Sequence, residues 1–89
     1  MQNAGVVEPE TRKVYVRVIA EFLANGAVLP REIIWEDGRT FPIDDIIAAE
    51  RRANLKVGGV AVRYRCRIRG REKYIFHEDN ARWFVEGDK

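Results

Sequence analysis

Four arginines alternate with apolar residues in the segment VAVRYRCRIR, residues 60–69. Side chains two residues apart in a β-strand share a face and lie roughly 6.5–7 Å from one another, so such a row extends over about 20 Å. Guanidinium groups at this spacing suit a nucleic-acid backbone, because each can neutralise a phosphate. The row consists of Arg63, Arg65, Arg67 and Arg69. The alternative is a solvated face on which acidic side chains of neighbouring strands pair with the arginines.

Aromatic residues follow the arginines in the segment REKYIF, and their orientation depends on the hairpin that joins the two segments. A two-residue loop of Gly70 and Arg71 would place Tyr74 and Phe76 on the arginine face, where they could stack on nucleic-acid bases or on the arginines themselves. A three-residue loop, 69–71, would turn both rings into the core, since a slip of one residue exchanges the faces of a strand. The sequence leaves both registers open.

The positive charge of the chain is concentrated in its second half. Residues 1–50 contain five Lys or Arg and nine Asp or Glu, whereas residues 51–89 contain eleven basic and five acidic residues. Such a block is typical of nucleic-acid-binding surfaces. We therefore predict weak, general nucleic-acid binding along the arginine row. Further basic residues would widen this patch: Arg51, Lys56, Arg71 and Lys73.

Two adjacent aromatic residues, Trp83 and Phe84, suggest a different kind of surface. Consecutive residues of a strand point to opposite faces, so one ring would be exposed unless both faces are covered. An exposed ring would suit a protein partner or a second copy of the chain. The alternative function is therefore a protein-interaction or homodimerisation module that uses this strand. The simpler interpretation is that Trp35, Trp83 and Phe84 cap the end of a barrel.

Residue types that carry catalysis or bind metals are scarce. The chain has one cysteine, Cys66, one histidine, His77, and no serine. A metal site usually needs three or four ligands, and nucleophilic catalysis needs a base beside its nucleophile. Cys66 also falls on the apolar side of its strand, which favours a buried thiol. We predict no enzymatic activity, no cofactor and no metal.

Alternating segments separated by turn signals cover most of the chain. Six such segments occur, at residues 13–22, 28–35, 40–43, 60–68, 73–77 and 82–86. Short strands joined by tight turns predict an all-β fold, in which a strongly bent antiparallel sheet closes into an SH3-like barrel of about six strands. Residues 44–53 are ambiguous, because their Ala, Glu and Arg favour a helix whereas their alternation favours a bent strand that continues from residue 40. The alternative fold is α+β with one short helix there.

The length of 89 residues suits one domain. We predict a flexible leader at 1–12, a single barrel domain at 13–86 and a tail at 87–89. No apolar run approaches the roughly 18 residues needed to span a membrane, and the N-terminus lacks the apolar core of a secretory signal. A single cysteine cannot form an internal disulfide. These features predict a cytoplasmic protein that does not bind membranes.

Three motifs make the chain resemble a family of small single-domain bacterial proteins, met mostly in Firmicutes. The pattern is Trp-x-Asp-Gly-Arg, followed by Gly-Gly-x-x-x-Arg-Tyr-x-Cys-Arg-Ile and then by Arg-Trp-Phe-Val-Glu. In this chain it begins at Trp35, continues over residues 58–68 and ends over residues 82–86. The resemblance implies a small β-barrel and implies no activity, cofactor or catalytic residue.

Overall fold

The computed structural model describes residues 11–53, 60–79 and 81–88 and has an all-β fold. Its seven strands form one antiparallel sheet. In chain order they are β1 (Thr11–Phe22), β2 (Val28–Ile34), β3 (Thr40–Pro42), β4 (Asp45–Ala53), β5 (Val60–Ile68), β6 (Arg71–Glu78) and β7 (Trp83–Asp88). The described part of the chain contains no helix that could cross a membrane. The predicted all-β class is confirmed, and the alternative with a helix at 44–53 is wrong.

The sheet curls so that its two edge strands are consecutive in the chain. The strand order is β3-β2-β1-β7-β6-β5-β4. Ile43 and Asp44 separate β3 from β4, and their backbone N–H groups donate to opposite parts of the sheet. The acceptors are the carbonyl oxygens of Arg31 on β2 and Arg67 on β5, each at 2.9 Å. β3 and β4 are therefore two arms of one bent segment, which gives a barrel-like sheet with seven strands instead of about six.

β4 is a strand although its composition favours a helix. It pairs with β5 along nearly its whole length, beginning with Asp45 opposite Arg67, and a bulge lies between Ile46 and Ala48. Intrinsic helix preferences differ by only about 0.7 kcal/mol per residue or less among ordinary residues. Cross-strand pairing and packing outweigh a preference of that size. The bent-strand interpretation of this segment is thus the one that the structure confirms.

The turns of the first two hairpins form where glycine and a preceding Asn or Asp predict them. Gly26 and Gly38 have φ of +91° and +90°, a backbone conformation that residues with a Cβ rarely adopt. The side chains of Asn25 and Asp37 each accept a hydrogen bond from the backbone N–H two residues later, at 3.0 and 2.9 Å. These local contacts fix the turns that join β1 to β2 and β2 to β3.

The core lies on the inner face of the curled sheet. Its buried side chains are Ile33, Ile43, Tyr64, Cys66, Ile68 and Ile75. Partly buried side chains of β1 and β7, among them Val16, Val18 and Val85, pack against this cluster. The Tyr64 hydroxyl donates to the carbonyl oxygen of Val28 at 2.6 Å. That hydrogen bond connects β5 to the start of β2 across the interior.

The two ends of the described chain pair with each other. Thr11 lies opposite Asp88, and Arg12 lies opposite Gly87. All four residues therefore belong to the sheet, whereas the predicted domain covers only residues 13–86. Pairing between the first and last segments is a long-range feature that local sequence patterns do not contain. The remainder of the predicted leader and residue 89 lie outside the described residues.

Candidate functional site

Three of the four predicted arginines form a row on the outer face of β5: Arg63, Arg65 and Arg67. Their cross-strand partners on β6 are, in the same order, Phe76, Tyr74 and Glu72. Directly opposed residues of antiparallel strands share a face. Both aromatic rings therefore belong to the arginine face, as one of the two open alternatives expected.

Acidic side chains of the neighbouring strands face this row. Nη2 of Arg63 lies 2.5 Å from Oε1 of Glu50, and the Nη atoms of Arg67 lie 3.7 Å from carboxylate oxygens of Asp45 and Glu72. The hydrogen bond from Arg63, together with its charge, holds the pKa of the Glu50 carboxyl below its usual range. Asp45, on β4, is an acid that sequence reasoning did not connect with the row.

Arg65 and the guanidinium face of Arg63 make further contacts on the row. Nη1 of Arg65 lies 3.9 Å from Oε1 of Glu72. The guanidinium of Arg63 lies over the Tyr74 ring, 4.5 Å from its centroid. Nε of Arg65 is buried and has no hydrogen-bond partner among the described residues. Since three arginines face three carboxylates, little uncompensated charge is left for a phosphate backbone.

The hairpin between β5 and β6 is a two-residue turn formed by Arg69 and Gly70. Their φ angles are +52° and +76°, both positive as a type I′ turn requires, and Ile68 pairs with Arg71. Both predicted loops, Gly70 with Arg71 and residues 69–71, are therefore wrong. The second position of this turn favours glycine, which moves the loop one residue toward the N-terminus. Compared with the predicted loop of Gly70 and Arg71, each residue of β5 pairs with a residue of β6 two positions earlier in the chain. An even shift keeps side chains on the same face, so the aromatic rings of β6 stay on the arginine face.

The other predicted basic residues near the row lie elsewhere. Arg69 is at the turn, with its guanidinium 4.8 Å from the centroid of the Phe41 ring and its backbone N–H donating to Oδ2 of Asp44 at 3.1 Å. The prediction of a four-arginine row is thus wrong at its last member, because the turn redirects that residue. Arg51 lies on β4, and Lys56 lies outside the described residues.

Arg71 and Lys73 are on the opposite face from the row. Their cross-strand partners are Ile68 and Cys66, which belong to the core. Both basic side chains are exposed, since they stand at the end of the inner face where the sheet no longer covers it. The prediction that they widen the arginine patch is wrong. Odd-numbered residues lie on the outer face in β5 but on the inner face in β6, because the turn pairs odd with even positions.

A groove of about 430 Å³ opens at this end of the inner face. Its apolar and aromatic lining includes Trp35, Phe41, Ile68, Ile75 and Val85. Tyr74 borders the groove as well, although its ring lies on the outer face beside Arg63. Lys73, Arg39 and Glu86 contribute charged groups to the same lining. Arg69 borders it through Phe41. Within the described residues no ion pair engages Arg69, Arg71 or Lys73.

The groove exists because β6 and β7 diverge. In the described chain these strands pair at two positions, Phe76 opposite Phe84 and His77 opposite Trp83. Beyond them, toward the groove, Ile75 and Val85 line the same space without forming a ladder pair. Backbone groups of both strands therefore border the opening.

Phe84 and Trp83 are covered on both faces of β7. Phe84 is 3% exposed; its ring stacks on Phe76 with centroids 4.7 Å apart and meets Tyr15 edge-on at 5.9 Å. Trp83 packs against the core and stacks on His77 at 4.0 Å. Exposure of one ring was expected unless both faces of the strand are covered, and here aromatic neighbours cover the outer face. An interface built on these two side chains loses its basis.

Neither the cysteine nor the histidine is placed for chemistry at the surface. Cys66 is completely buried, and burial raises the pKa of its thiol to about 11. Burial also lowers the pKa of His77, which is uncharged at neutral pH. In the part of the chain that the structure describes, no cluster of three or more His, Cys, Asp or Glu side chains could hold a metal ion.

Sequence reasoning missed Arg39 and Phe41 as neighbours of the β5–β6 turn. The guanidinium of Arg39 lies 5.6 Å from the centroid of the Phe41 ring and 2.7 Å from Oδ2 of Asp37. The turn motif WEDGR marks the start of this segment. Its proximity to Arg69 depends on the crossing at Ile43 and Asp44, which no local pattern reveals.

Comparisons with protein-family models, with curated proteins and with solved structures find no match for this chain. The resemblance to a family of small bacterial proteins stays a prediction.

Proposed function

We propose that this chain is a small binding module without catalytic activity, and that it binds single-stranded nucleic acid weakly and without sequence preference at the groove beside β6. The observation that carries the proposal is the position of Arg69, Arg71 and Lys73. They are exposed and have no ion-pair partner within the described residues. Lys73 lines the groove, the Arg69 guanidinium lies over the ring of Phe41 in its lining, and Arg71 shares the strand face of Lys73.

This surface combines the two elements that single-strand binding uses. Unpaired cations attract phosphates, and aromatic rings stack with bases irrespective of their identity. Trp35 and Phe41 provide aromatic rings in the lining of the groove. Successive phosphates could contact Lys73 and Arg71, which lie two residues apart on one strand, roughly 6.5–7 Å.

The arginine row of β5 supports the proposal less well. Arg63 is hydrogen-bonded to Glu50, and Arg67 lies between two carboxylates. A phosphate would have to displace these acids, so the gain in attraction would be offset by lost ion pairs. We therefore assign the contact to the hairpin end and not to the strand face that the sequence alone suggested.

The absence of catalysis in the proposal rests on the two residues best suited to it. The thiol of Cys66 is buried and protonated at neutral pH, and His77 is stacked on Trp83. A thiol in that state cannot act as a nucleophile, because the thiolate is the reactive form.

Fluorescence anisotropy tests the proposal with a labelled thymidine oligonucleotide of roughly ten nucleotides. If three phosphates are contacted, affinity should fall roughly 20-fold between about 50 and 200 mM salt. The variant Arg69→Asn/Arg71→Gln/Lys73→Gln should abolish binding and its salt dependence. Asparagine is chosen at position 69 because it tolerates the positive φ.

The matched control removes the same number of charges from the row, as Arg63→Gln/Arg65→Gln/Arg67→Gln. Binding should change little in this variant. Loss of binding in the control with retention in the groove variant would return the site to the strand face. No binding by the native chain at low salt would refute the nucleic-acid function.

A second candidate is capture of an extended peptide, which the divergence of β6 and β7 favours. A peptide strand could add to the backbone groups that border the groove near Ile75 and Val85. This candidate keeps the protein-interaction function suggested by the sequence, but the contact would be made by backbone groups of β7 and not by the side chains of Trp83 and Phe84. Peptide binding by strand addition should survive moderate salt and shift amide resonances of residues 73–75 and 85–87, whereas oligonucleotide binding should not survive it.

A further inference from the structure

The second half of β1 has a free edge. β7 pairs with one side of β1 from Thr11 to Val16, and β2 pairs with the other side of β1 from Arg17 to Phe22. Within the described residues no strand pairs with residues 17–22 on the side where β7 has ended. Backbone N–H and C=O groups along that edge are available to another strand.

Apolar side chains are concentrated at the same place. The exposed large apolar side chains of the described chain are Tyr15, Ile19, Phe22 and Tyr74, and two of them, Ile19 and Phe22, lie in the free segment of β1. Ile19 is 50% exposed and Phe22 is 77% exposed. Natural edge strands are usually protected by proline, inward charges or bulges, so a long edge with exposed apolar residues indicates a pairing surface.

Space beside the edge is open. A concavity of about 520 Å³ lies along the start of the free segment, bordered by Arg17 and Val18 on one side and by Ala81 and Trp83 on the other. An incoming strand would enter where β7 ends and continue the sheet past that point.

The sequence of this edge is complementary to itself. If two copies pair antiparallel about Ile19, Arg17 of each copy lies opposite Glu21 of the other, on the same face as the two Ile19 side chains. Residues 18 and 20 then oppose each other on the other face. Moving the two-fold axis from Ile19 to Val18 would place Arg17 opposite Ile19, and moving it to Ala20 would place Glu21 opposite Ile19, so the charges select one register.

We propose that two copies of this chain associate through antiparallel pairing of residues 17–21, with Ile19 on the two-fold axis and Arg17 paired with Glu21 of the second copy. The inference goes beyond the proposed nucleic-acid function and does not depend on it. Glu21 already accepts hydrogen bonds from Arg31 at 2.6 and 2.9 Å. In the dimer its carboxylate is shared between Arg31 and the incoming Arg17. Two five-residue segments bury a small area, so the dimer is weak and depends on concentration.

Sedimentation velocity tests the proposal on the full chain between about 10 µM and 1 mM, a range suited to small interfaces. The native chain should shift from monomer to dimer across it. Ile19→Lys should remain monomeric, because it places two lysines opposite each other at the axis. Arg17→Glu should weaken association at least about fivefold, since both symmetric ion pairs become repulsive. The double variant Arg17→Glu/Glu21→Arg should recover association, because each charge again faces its opposite.

Thr40→Lys serves as the matched control, because it adds the same charge at an exposed residue of β3, which lies beyond β2 from the proposed interface. Its association should equal that of the native chain. Far-UV circular dichroism and the urea midpoint verify that each variant folds. Amide hydrogen exchange gives a readout without substitutions: the amides within residues 17–21 that point away from β2 should be protected at high and not at low concentration. A native chain that stays monomeric at the highest concentration, or a dimer that Ile19→Lys leaves intact, would overturn the proposal.

Discussion

The hydrogen bond from Tyr64 to Val28 gives a quantitative test of how the sheet is held closed. The hydroxyl donates at 2.6 Å across the interior, and the Tyr64 side chain is buried at 5% exposure. Tyr64→Phe removes the donor and keeps the ring. A net hydrogen bond contributes about 0.5–1.5 kcal/mol, and a buried carbonyl left without its donor costs about 1–3 kcal/mol. We expect the free energy of unfolding to fall by roughly 1–2 kcal/mol, because the start of β2 can regain some solvent.

Urea denaturation followed by tryptophan fluorescence measures this loss. With an m value of about 1 kcal/mol/M, the midpoint should fall by roughly 1–2 M at unchanged m. The melting temperature should fall by roughly 4–8 °C for each kcal/mol in a domain of this size. Tyr74→Phe is the matched control, since that ring is 41% exposed, and it should change the midpoint little. Equal midpoints for native chain and Tyr64→Phe would refute the reasoning that this bond holds β5 to β2.

Three further predictions concern the outer aromatic stack, one ion pair and the thiol. Phe84→Ala should destabilise the fold by about 3–5 kcal/mol, because it empties the space beneath Phe76, and urea titration measures the loss. Glu78 accepts a hydrogen bond from Lys13 at 2.6 Å, which lowers the pKa of Glu78. A carboxyl whose pKa is lower in the folded state than in the unfolded state stabilises the fold at pH values above its unfolded-state pKa, and this stabilisation is lost as the pH falls through its folded-state pKa. Glu78→Gln should therefore reduce the difference in unfolding free energy between about pH 7 and pH 3. Cys66 should resist a thiol reagent in the native chain and react quickly in concentrated urea, because its pKa is about 11.

The first two of these predictions have a control variant within the same chain, and the third has an outcome that contradicts it. Phe22→Ala removes an equally large ring that is 77% exposed and should cost less than about 0.5 kcal/mol; a cost equal to that of Phe84→Ala contradicts the stack. Glu36→Gln, in an exposed turn, should keep the native pH dependence, and an effect as large as that of Glu78→Gln contradicts the role of Lys13. Rapid labelling of Cys66 without denaturant contradicts its burial.

Local patterns were sufficient to predict six of the seven described strands. Alternation placed β5 within its observed bounds, and Asn25 with Gly26 marked the first turn. The strand boundaries at Thr11 and Asp88 were not predictable from local sequence, because these two residues belong to the sheet by pairing with each other. At residues 45–53 the helix preference of the chain competed with pairing to β5, and the distant partner decided the outcome.

The site was harder to predict, because a small error in register moves side chains between faces. Arg69 satisfies the alternation of β5, yet it adopts a left-handed conformation in the turn and leaves the row. Arg71 and Lys73 are near Arg67 in sequence but lie on the other side of the sheet. One of the two acids that face Arg67 is Asp45. It belongs to β4, whose pairing with β5 could not be inferred from the sequence. These placements depend on three-dimensional pairing and not on residue type.

The short contact between β6 and β7 has a consequence for how the molecule opens. Two ladder pairs, at Phe76 with Phe84 and at His77 with Trp83, join a unit of β4, β5 and β6 to a unit of the other four strands. The units are also connected by the segment of Ile43 and Asp44, whose amides bond to one unit each, and by the hydrogen bond from Tyr64 to Val28. Such a seam behaves as a hinge, and amides along it should exchange by partial opening at a lower free energy than amides inside either unit. The groove between β6 and β7 would then widen and narrow as the two units move relative to each other, without global unfolding.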